Sequence, residues 1–440
     1  MNIAIIGCGY VIDHYLKTLK DHPVLDLVGV TDLNLNRAQA VARQYKTKVY
    51  QSNETLLADP TVELVVNLTS VESHYSVNKA CLLAGKHVYS EKPLTVDVEQ
   101  AEELVKLAER AGLMLSGAPC NLLSDTIQTV WRAVIDGVIG RVKLVYAEFD
   151  DNPIYCMRPE GWTSASGVPW PYRQEYETGC TLEHAGYHLT WMCAIFGPAT
   201  AVTAFSACLV PEKTSLPLDP NDTPDFSVGC ISFQSGVVAR LTCSIVAPLN
   251  HSMAVIGNLG VISTDTYRHY RSPVYIEHFT QITLNARKSR SVRASALLRR
   301  MFGVGGQKQR LVPSPRKSMR TILAGYLDGK LPIIGAMVKK LKGRELGVQD
   351  KLQGARDMAD ALAEGRQHHI SPDFLVHITE LTLAIANSRA RGEPQNLKTT
   401  FQPLSPKRST LQFNPGCRRK NREGFFSVLA QRLIERAHRH

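Results

Sequence analysis

Apolar positions in the first 120 residues fall into short continuous runs, separated by stretches with helical spacing. "NIAIIG", "LDLVGVTD", "VELVVNLTS", "HVYSEKP" and "LMLSGAP" read as strands, and their unbroken apolar character suits strands covered on both faces. Strands alternating with helices predict a parallel sheet with crossover connections. Between the last two strands, "TVDVEQAEELVKLAERAG" predicts an amphipathic helix. Val98, Ala101, Leu104, Val105 and Ala108 form its stripe, Asp97 or Thr95 caps its start, and Gly112 closes its end. From about residue 121 the pattern changes. A helix around "DTIQTVWRAVIDG" is followed by "VKLVYAEFD", "TAVTAFSACLV", "FSVGCISF" and "GVVARLTCSIVA", which predict a large, mainly antiparallel sheet. Helices resume at "QDKLQGARDMADALAEG" and at "SPDFLVHITELTLAIANSRARG", the latter with Ser371 as N-cap and Pro372 in the first turn.

Composition adds little until the charge is located. The 440 residues are 44% hydrophobic and 21% charged, as for an ordinary soluble chain of two domains. No apolar run approaches the ~20 residues that span a bilayer. "MNIAIIGCGY" lacks a basic leader and reads as no signal peptide. The ten cysteines form no Cys-x-x-Cys pair and lie mostly in apolar segments, which predicts reduced thiols and a cytoplasmic setting. Of the net charge of +11, residues 286–346 carry +14 and residues 407–440 carry +7, leaving the remainder at −10. The basic character therefore belongs to two segments. They contain no recognisable nucleic-acid reader, so a nucleic-acid partner is not expected.

The first strand runs into "GCGYVI". Gly7 permits the tight turn, and Gly9 lets backbone approach a pyrophosphate beside the next helix N-terminus, with Tyr10 and Val11 completing the turn. Ile12 stands where a dinucleotide-binding turn usually has a third small residue. That position serves helix–strand packing and does not touch phosphate. Asp32 ends the second strand, 23 residues after Gly9, where a carboxylate accepts hydrogen bonds from ribose hydroxyls and repels a 2′-phosphate. NAD is thus expected over NADP.

"VVNLTSVESHYSVNKACLLAGKHVYSEKPLTVDVEQAEEL" resembles the glucose–fructose oxidoreductase, inositol dehydrogenase and MocA (Gfo/Idh/MocA) family. The resemblance includes His74 after "VELVVNLTS" and then Glu91, Lys92 and Pro93, and it implies cofactor contacts by Thr69, His74, Glu91 and Lys92. "GVIGRVKLV", "GNLGVIS" and "DMADAL" extend it along most of the chain. It implies an N-terminal α/β Rossmann domain over residues 1–120. It also implies a C-terminal α+β domain with a large open sheet over 121–285 and 347–400. Residues 286–346 then form a basic insertion, and 401–440 a basic tail in which "FFSVLAQRLIERA" has the spacing of a short amphipathic helix. The implied activity is NAD(P)-linked oxidation or reduction of a sugar, cyclitol or nucleotide sugar, in a homo-oligomer built on the sheet.

Hydride exchange at a carbinol needs a group that polarises the oxygen and a group that exchanges its proton. By resemblance Lys92 polarises and His188, in "ETGCTLEHAGYHLTWMCAIFG", takes the proton. His184 stands where the family has aspartate. It is expected to share a helical face with His188, whereas Glu183 projects about 100° away and reads as a poor substitute. No metal site is expected from this group. The loop "MRPEGWTSASGVPWPYRQEYETG" has pocket-lining composition, with Tyr172, Arg173 and Tyr187 as substrate-side candidates. For the insertion three readings stand: a solvated excursion, a phosphate grip by Arg287, Arg290, Arg293, Arg299 and Arg300, or contact of "LPIIGAMVKKLKGR" with an anionic membrane. Alternatives for the whole chain are an NAD-assisted glycosidase and a non-catalytic NAD-binding protein of polysaccharide assembly.

Overall fold

The computed structural model describes residues 1–266, 270–279, 308–311, 349–388 and 392–407, with single positions 295, 297, 412 and 413. The anticipated parallel sheet consists of β1 (Asn2–Ile6), β2 (Asp26–Thr31), β3 (Lys48–Val49), β4 (Leu64–Asn67), β5 (His87–Ser90) and β6 (Leu115–Gly117). Its order is β3-β2-β1-β4-β5-β6, and every pair is parallel. The strand order reverses between β1 and β4, where open α/β sheets form a ligand crevice. Only the two-residue β3 had no sequence signal.

Around this sheet lie α1 (Ile12–Leu16), α2 (Leu35–Tyr45), α3 (Asn53–Leu57), α4 (His74–Leu83) and α5 (Val98–Ala111). In α5 the Asp97 side chain accepts from the Gln100 amide, Gly112 closes the helix in left-handed geometry, and Ala101, Leu104, Val105 and Ala108 are buried. The first helix is shorter than the sequence suggests: α1 ends at Leu16, and a 3-10 turn over Leu19–Asp21 follows. Ile12 is fully buried in one apolar cluster with Ile3, Ile5 and Val30. The bulky residue at the third-glycine position is absorbed by the core.

The second half contains α6 (Asp125–Ile135), β7 (Val142–Asp150), α7 (Tyr172–Thr178), α8 (Cys180–Phe196), β8 (Ala199–Ala207), β9 (Phe226–Phe233) and β10 (Val238–Ser244). It continues with β11 (Met253–Gly257), β12 (Gly260–Thr264), β13 (Tyr275–His278), β14 (Gln309–Arg310), α9 (Gln353–Glu364), α10 (Pro372–Ala386) and β15 (Gln395–Asn396). Among the described residues the strands form a nine-stranded sheet, β14-β13-β12-β11-β7-β10-β9-β8-β15, antiparallel except between β7 and β10. β14 lies within the basic stretch, so residues 309 and 310 belong to the sheet edge. The five named arginines, "LPIIGAMVKKLKGR" and "FFSVLAQRLIERA" lie outside the described residues.

One face of the sheet is covered by α8 and α10, and α10 also packs on α5. A single apolar cluster consequently runs from Val65 and Val88 in the first half to Ile231, Leu241 and Ile385 in the second. The nine described cysteines are all free thiols. No described helix is long and apolar enough to cross a membrane.

At Gly354, on α9, a Cβ would lie 2.3 Å from the ring of Tyr89, which is itself fully buried on β5. With no room for the ring to retreat, Gly354→Ala is expected to cost about 2 kcal/mol, the usual scale for overpacking. A denaturation midpoint as high as that of the parent would contradict this close helix–sheet contact.

Candidate active site

The carboxyl ends of β1, β2, β4 and β5 open into a cavity of about 1170 Å³ that also reaches α7, α8 and the segment before α9. Drug-sized pockets run to roughly 300–1,000 Å³, so this space suits an elongated ligand with a small molecule beside it.

The dinucleotide end is built by the glycine turn. Gly7 has φ +100°, and a Cβ there would lie 2.5 Å from the Leu68 carbonyl oxygen, so β1 and β4 can converge only over glycine. A Cβ on Gly9 would meet nothing within 4 Å, which leaves the space beside it clear for a phosphate. Tyr10 and Val11 line the cavity next to Gly9. Asp32 is fixed by two backbone donors, Cys8 N to Oδ2 and Asn34 N to Oδ1, both at 2.7 Å, and it lines the same end. Ring nitrogens of His74 lie 2.7 Å from the Pro93 carbonyl oxygen and 3.1 Å from that of Thr69. His74 thereby ties the loop after β4 to the Glu-Lys-Pro turn. These residues fit a bound dinucleotide: a clear approach for phosphate, a ribose-side carboxylate and a rigid wall.

At the other end, Glu91 and Lys92 leave β5 in opposite directions. The Glu91 side chain turns inward and accepts from Lys351 Nζ at 2.6 Å, from the Lys92 amide at 2.8 Å and from Tyr15 Oη at 3.2 Å. Burial by itself raises a carboxyl, but Lys351 and Lys92 overcome it and hold Glu91 at about 2. The Lys92 side chain crosses to α8, where its ammonium forms a buried ion pair with Glu183. Burial opposes the ammonium, yet Glu183 and then Glu175 keep it well above the ordinary lysine value. Burial first and Glu175 second raise the Glu183 carboxyl, against the pull of Lys92.

The two histidines of α8 do not share the cavity. His184 lines it, stacked on Phe149 at 4.4 Å, with Nε2 3.7 Å from Glu175 and 3.9 Å from Asp151. His188 is fully buried one turn deeper and is not part of the lining. Its Nδ1 accepts from Trp191 Nε1 at 2.9 Å, and its Nε2 donates to the Glu148 carbonyl on β7 at 3.0 Å. Burial pushes its imidazole down to about 3, despite the Glu148 carbonyl. The structure thus places His188, expected as the proton acceptor, in the core and not on the cavity wall. The cavity-facing stripe of α8 is Glu183, His184 and Tyr187, an i, i+4 pair with His184 between them, because nearly the whole circumference of this helix is buried. The dismissal of Glu183 is corrected by this placement.

The aromatic loop bears on the cavity through Val168, Trp170, Gln174 and Glu175. Tyr187 lines it too, whereas Tyr172 does not and Arg173 pairs with Glu177 on the surface. Lys351 and His251 also line the cavity, and neither sits in a motif that marks it in the sequence. Among the described residues, no group of three or more His, Cys, Asp or Glu is placed to hold a metal ion.

Fold and cavity together define a dinucleotide-binding protein of the two-domain α/β type. Residues 1–118 match the oxidoreductase family with an NAD-binding Rossmann fold, and residues 127–263 match the GFO/IDH/MocA C-terminal domain. The chain belongs to the GFO/IDH/MocA family and is an NAD-dependent oxidoreductase. It is 27% identical over 263 residues to trans-1,2-dihydrobenzene-1,2-diol dehydrogenase of Bos taurus, covering 59% of this chain and 72% of that one. Levoglucosan dehydrogenase, solved with NADH and levoglucosan, superposes with a TM-score of 0.68 at 17% identity, over 91% of this chain and all of that one. The WlbA dehydrogenase of Bordetella pertussis, solved with NADH and UDP-GlcNAcA, gives 0.62 at 17% identity, over 90% and 97%. At such identities these two structures speak to the fold.

His188→Leu removes the acceptor of the buried Trp191 N–H. It should lower stability by about 1–3 kcal/mol, the cost of a buried orphaned donor, while leaving NADH affinity unchanged. Thermal denaturation alongside fluorescence titration separates these effects, and loss of cofactor binding by a stably folded variant would count against the placement of His188.

Proposed function

We propose that the protein oxidises or reduces a CH–OH carbon of a sugar or cyclitol, with Lys92 and Glu183 as the acid–base unit. The observation that carries this reading is the meeting of these two side chains, one from each half of the molecule, at the wall of the dinucleotide cavity. Nicotinamide, when bound, supplies the hydride acceptor or donor. In the oxidative direction the substrate hydroxyl lies against Lys92, whose ammonium stabilises charge developing on the oxygen. Glu183 takes the hydroxyl proton. Its burial beside Glu175 raises the carboxyl's proton affinity above that of an exposed glutamate, the direction a base requires. His184, 3.7 Å from Glu175, lines the same wall of the cavity. Trp170 and Tyr187 offer apolar faces to ring C–H groups, while the carboxylates of Glu175 and Glu183 are acceptors for hydroxyls.

Support for a carbohydrate-like substrate comes from the relatives: one is named for a dihydrodiol, one was solved with levoglucosan and one with UDP-GlcNAcA. Association of copies through the open sheet, where Tyr146, Phe205 and Val238 are exposed, belongs to the same proposal.

The test is NADH formation across a panel of sugars, cyclitols and nucleotide sugars. On the substrate that reacts, Lys92→Met should lower kcat/KM by about 10³-fold or more, far beyond any change in NADH affinity, as expected when a group acts mainly on the transition state. Turnover that survives this change overturns the mechanism.

A further inference from the structure

Lys351 is a second ammonium in the cavity, and it comes from the far end of the chain. The segment carrying it is fastened to the cofactor domain residue by residue. Asp350 accepts from His22 Nε2 at 2.8 Å and from Thr18 Oγ1 at 2.9 Å. The Cys120 thiol donates to the carbonyls of Asp350 and Lys351 at 3.6 and 3.5 Å. So held, the Lys351 side chain passes between two tyrosine rings, 5.5 Å from the centroid of Tyr15 and 6.0 Å from that of Tyr187. It ends 2.6 Å from Glu91 Oε1, with both side chains largely out of water.

Glu91 and Lys92 are consecutive residues, yet each forms its ion pair with the other half of the molecule: Glu91 with Lys351 and Lys92 with Glu183. The four charges alternate in sign. Glu91 also accepts from the Lys92 amide, so any movement of its carboxylate is transmitted to the backbone from which Lys92 projects.

We infer that Lys351 is a positioning residue of the active site: it keeps Glu91 ionised and fixed, and through Glu91 it sets the place of the Lys92 ammonium. This rests on the reading of Lys92 given above, but the test requires no turnover. Facing Glu91 are Lys351, Tyr15, Lys92 and, across the turn, His74, while Tyr187 faces Lys351. Without Lys351 a buried carboxylate loses its nearest cation, and desolvation then favours the protonated acid.

Glu91 has a depressed value in the folded protein, so its stabilising contribution is present above the unfolded carboxylate value and is lost as pH falls through about 2. Lys351→Met removes that contribution. Its melting temperature should fall about 3 °C or more below the parent at about pH 7, with the gap narrowing towards about pH 4. A merely structural lysine gives a gap that does not depend on pH.

The second readout is NADH titration by fluorescence. Affinity in Lys351→Met should weaken about threefold or more from about pH 7 to about pH 5 as Glu91 takes up a proton, whereas the parent and Lys351→Arg change little. The double variant Lys351→Met/Glu91→Gln has no carboxyl left at position 91 to titrate and should be as flat as the parent. If Lys351→Met does not fold, a folded, pH-insensitive double variant still supports the assignment. A double variant as unstable as the single one, a stability gap equal at both pH values, or additive effects of Glu91→Gln and Lys351→Met each overturn it.

Discussion

A charged group can remain largely buried only when an opposite charge or hydrogen bonds are brought to it, and the wall of the cofactor cavity depends on that constraint. Lys92 leaves one domain and Glu183 the other, and each makes the other's burial tolerable. The pairing requires β5 to end where α8 passes, which in turn requires the close seating of α8 and α10 between the two sheets. On the mechanism proposed above, reactivity follows from the same requirement, since a desolvated ion pair responds strongly to a third charged or polar group placed beside it. Removing one partner would leave a bare charge, so the pair is a commitment of the fold as much as of the chemistry.

The dinucleotide end was legible in the residues because its physics is local. Gly7, Gly9 and Asp32 act through backbone conformation and strand order, which a short stretch specifies almost by itself. Strands β7 and β9 match "VKLVYAEFD" and "FSVGCISF" end to end, since alternation and β-branched content suffice to define them. The substrate end was less legible. Spacing identified a shared face for His184 and His188, but spacing does not say how far along its axis a helix is sunk into the core. One turn of about 5.4 Å separates a wall residue from a core residue here. Lys351 was invisible for a different reason. It reaches Glu91 across 260 positions of sequence, through a clamp made of a thiol, a threonine and a histidine that form no motif.

Ile12 illustrates how a departure from a fingerprint can be harmless. A small residue is required there when a long helix lies tight along the strand. In this chain α1 ends after little more than one turn, and the isoleucine lies buried in the apolar cluster that also holds residues of β1 and α9. The fingerprint encodes two separable demands, backbone approach to an anion and helix seating, and only the first is shared with chains that carry glycine throughout.

The helix α10 lies against α5 of one half and against α8 and β8 of the other, within an apolar cluster that belongs to both. Among the described residues the two lobes therefore share one apolar core. Parting the lobes at this helix would bring that shared apolar surface into water, so opening the cleft carries a hydrophobic cost.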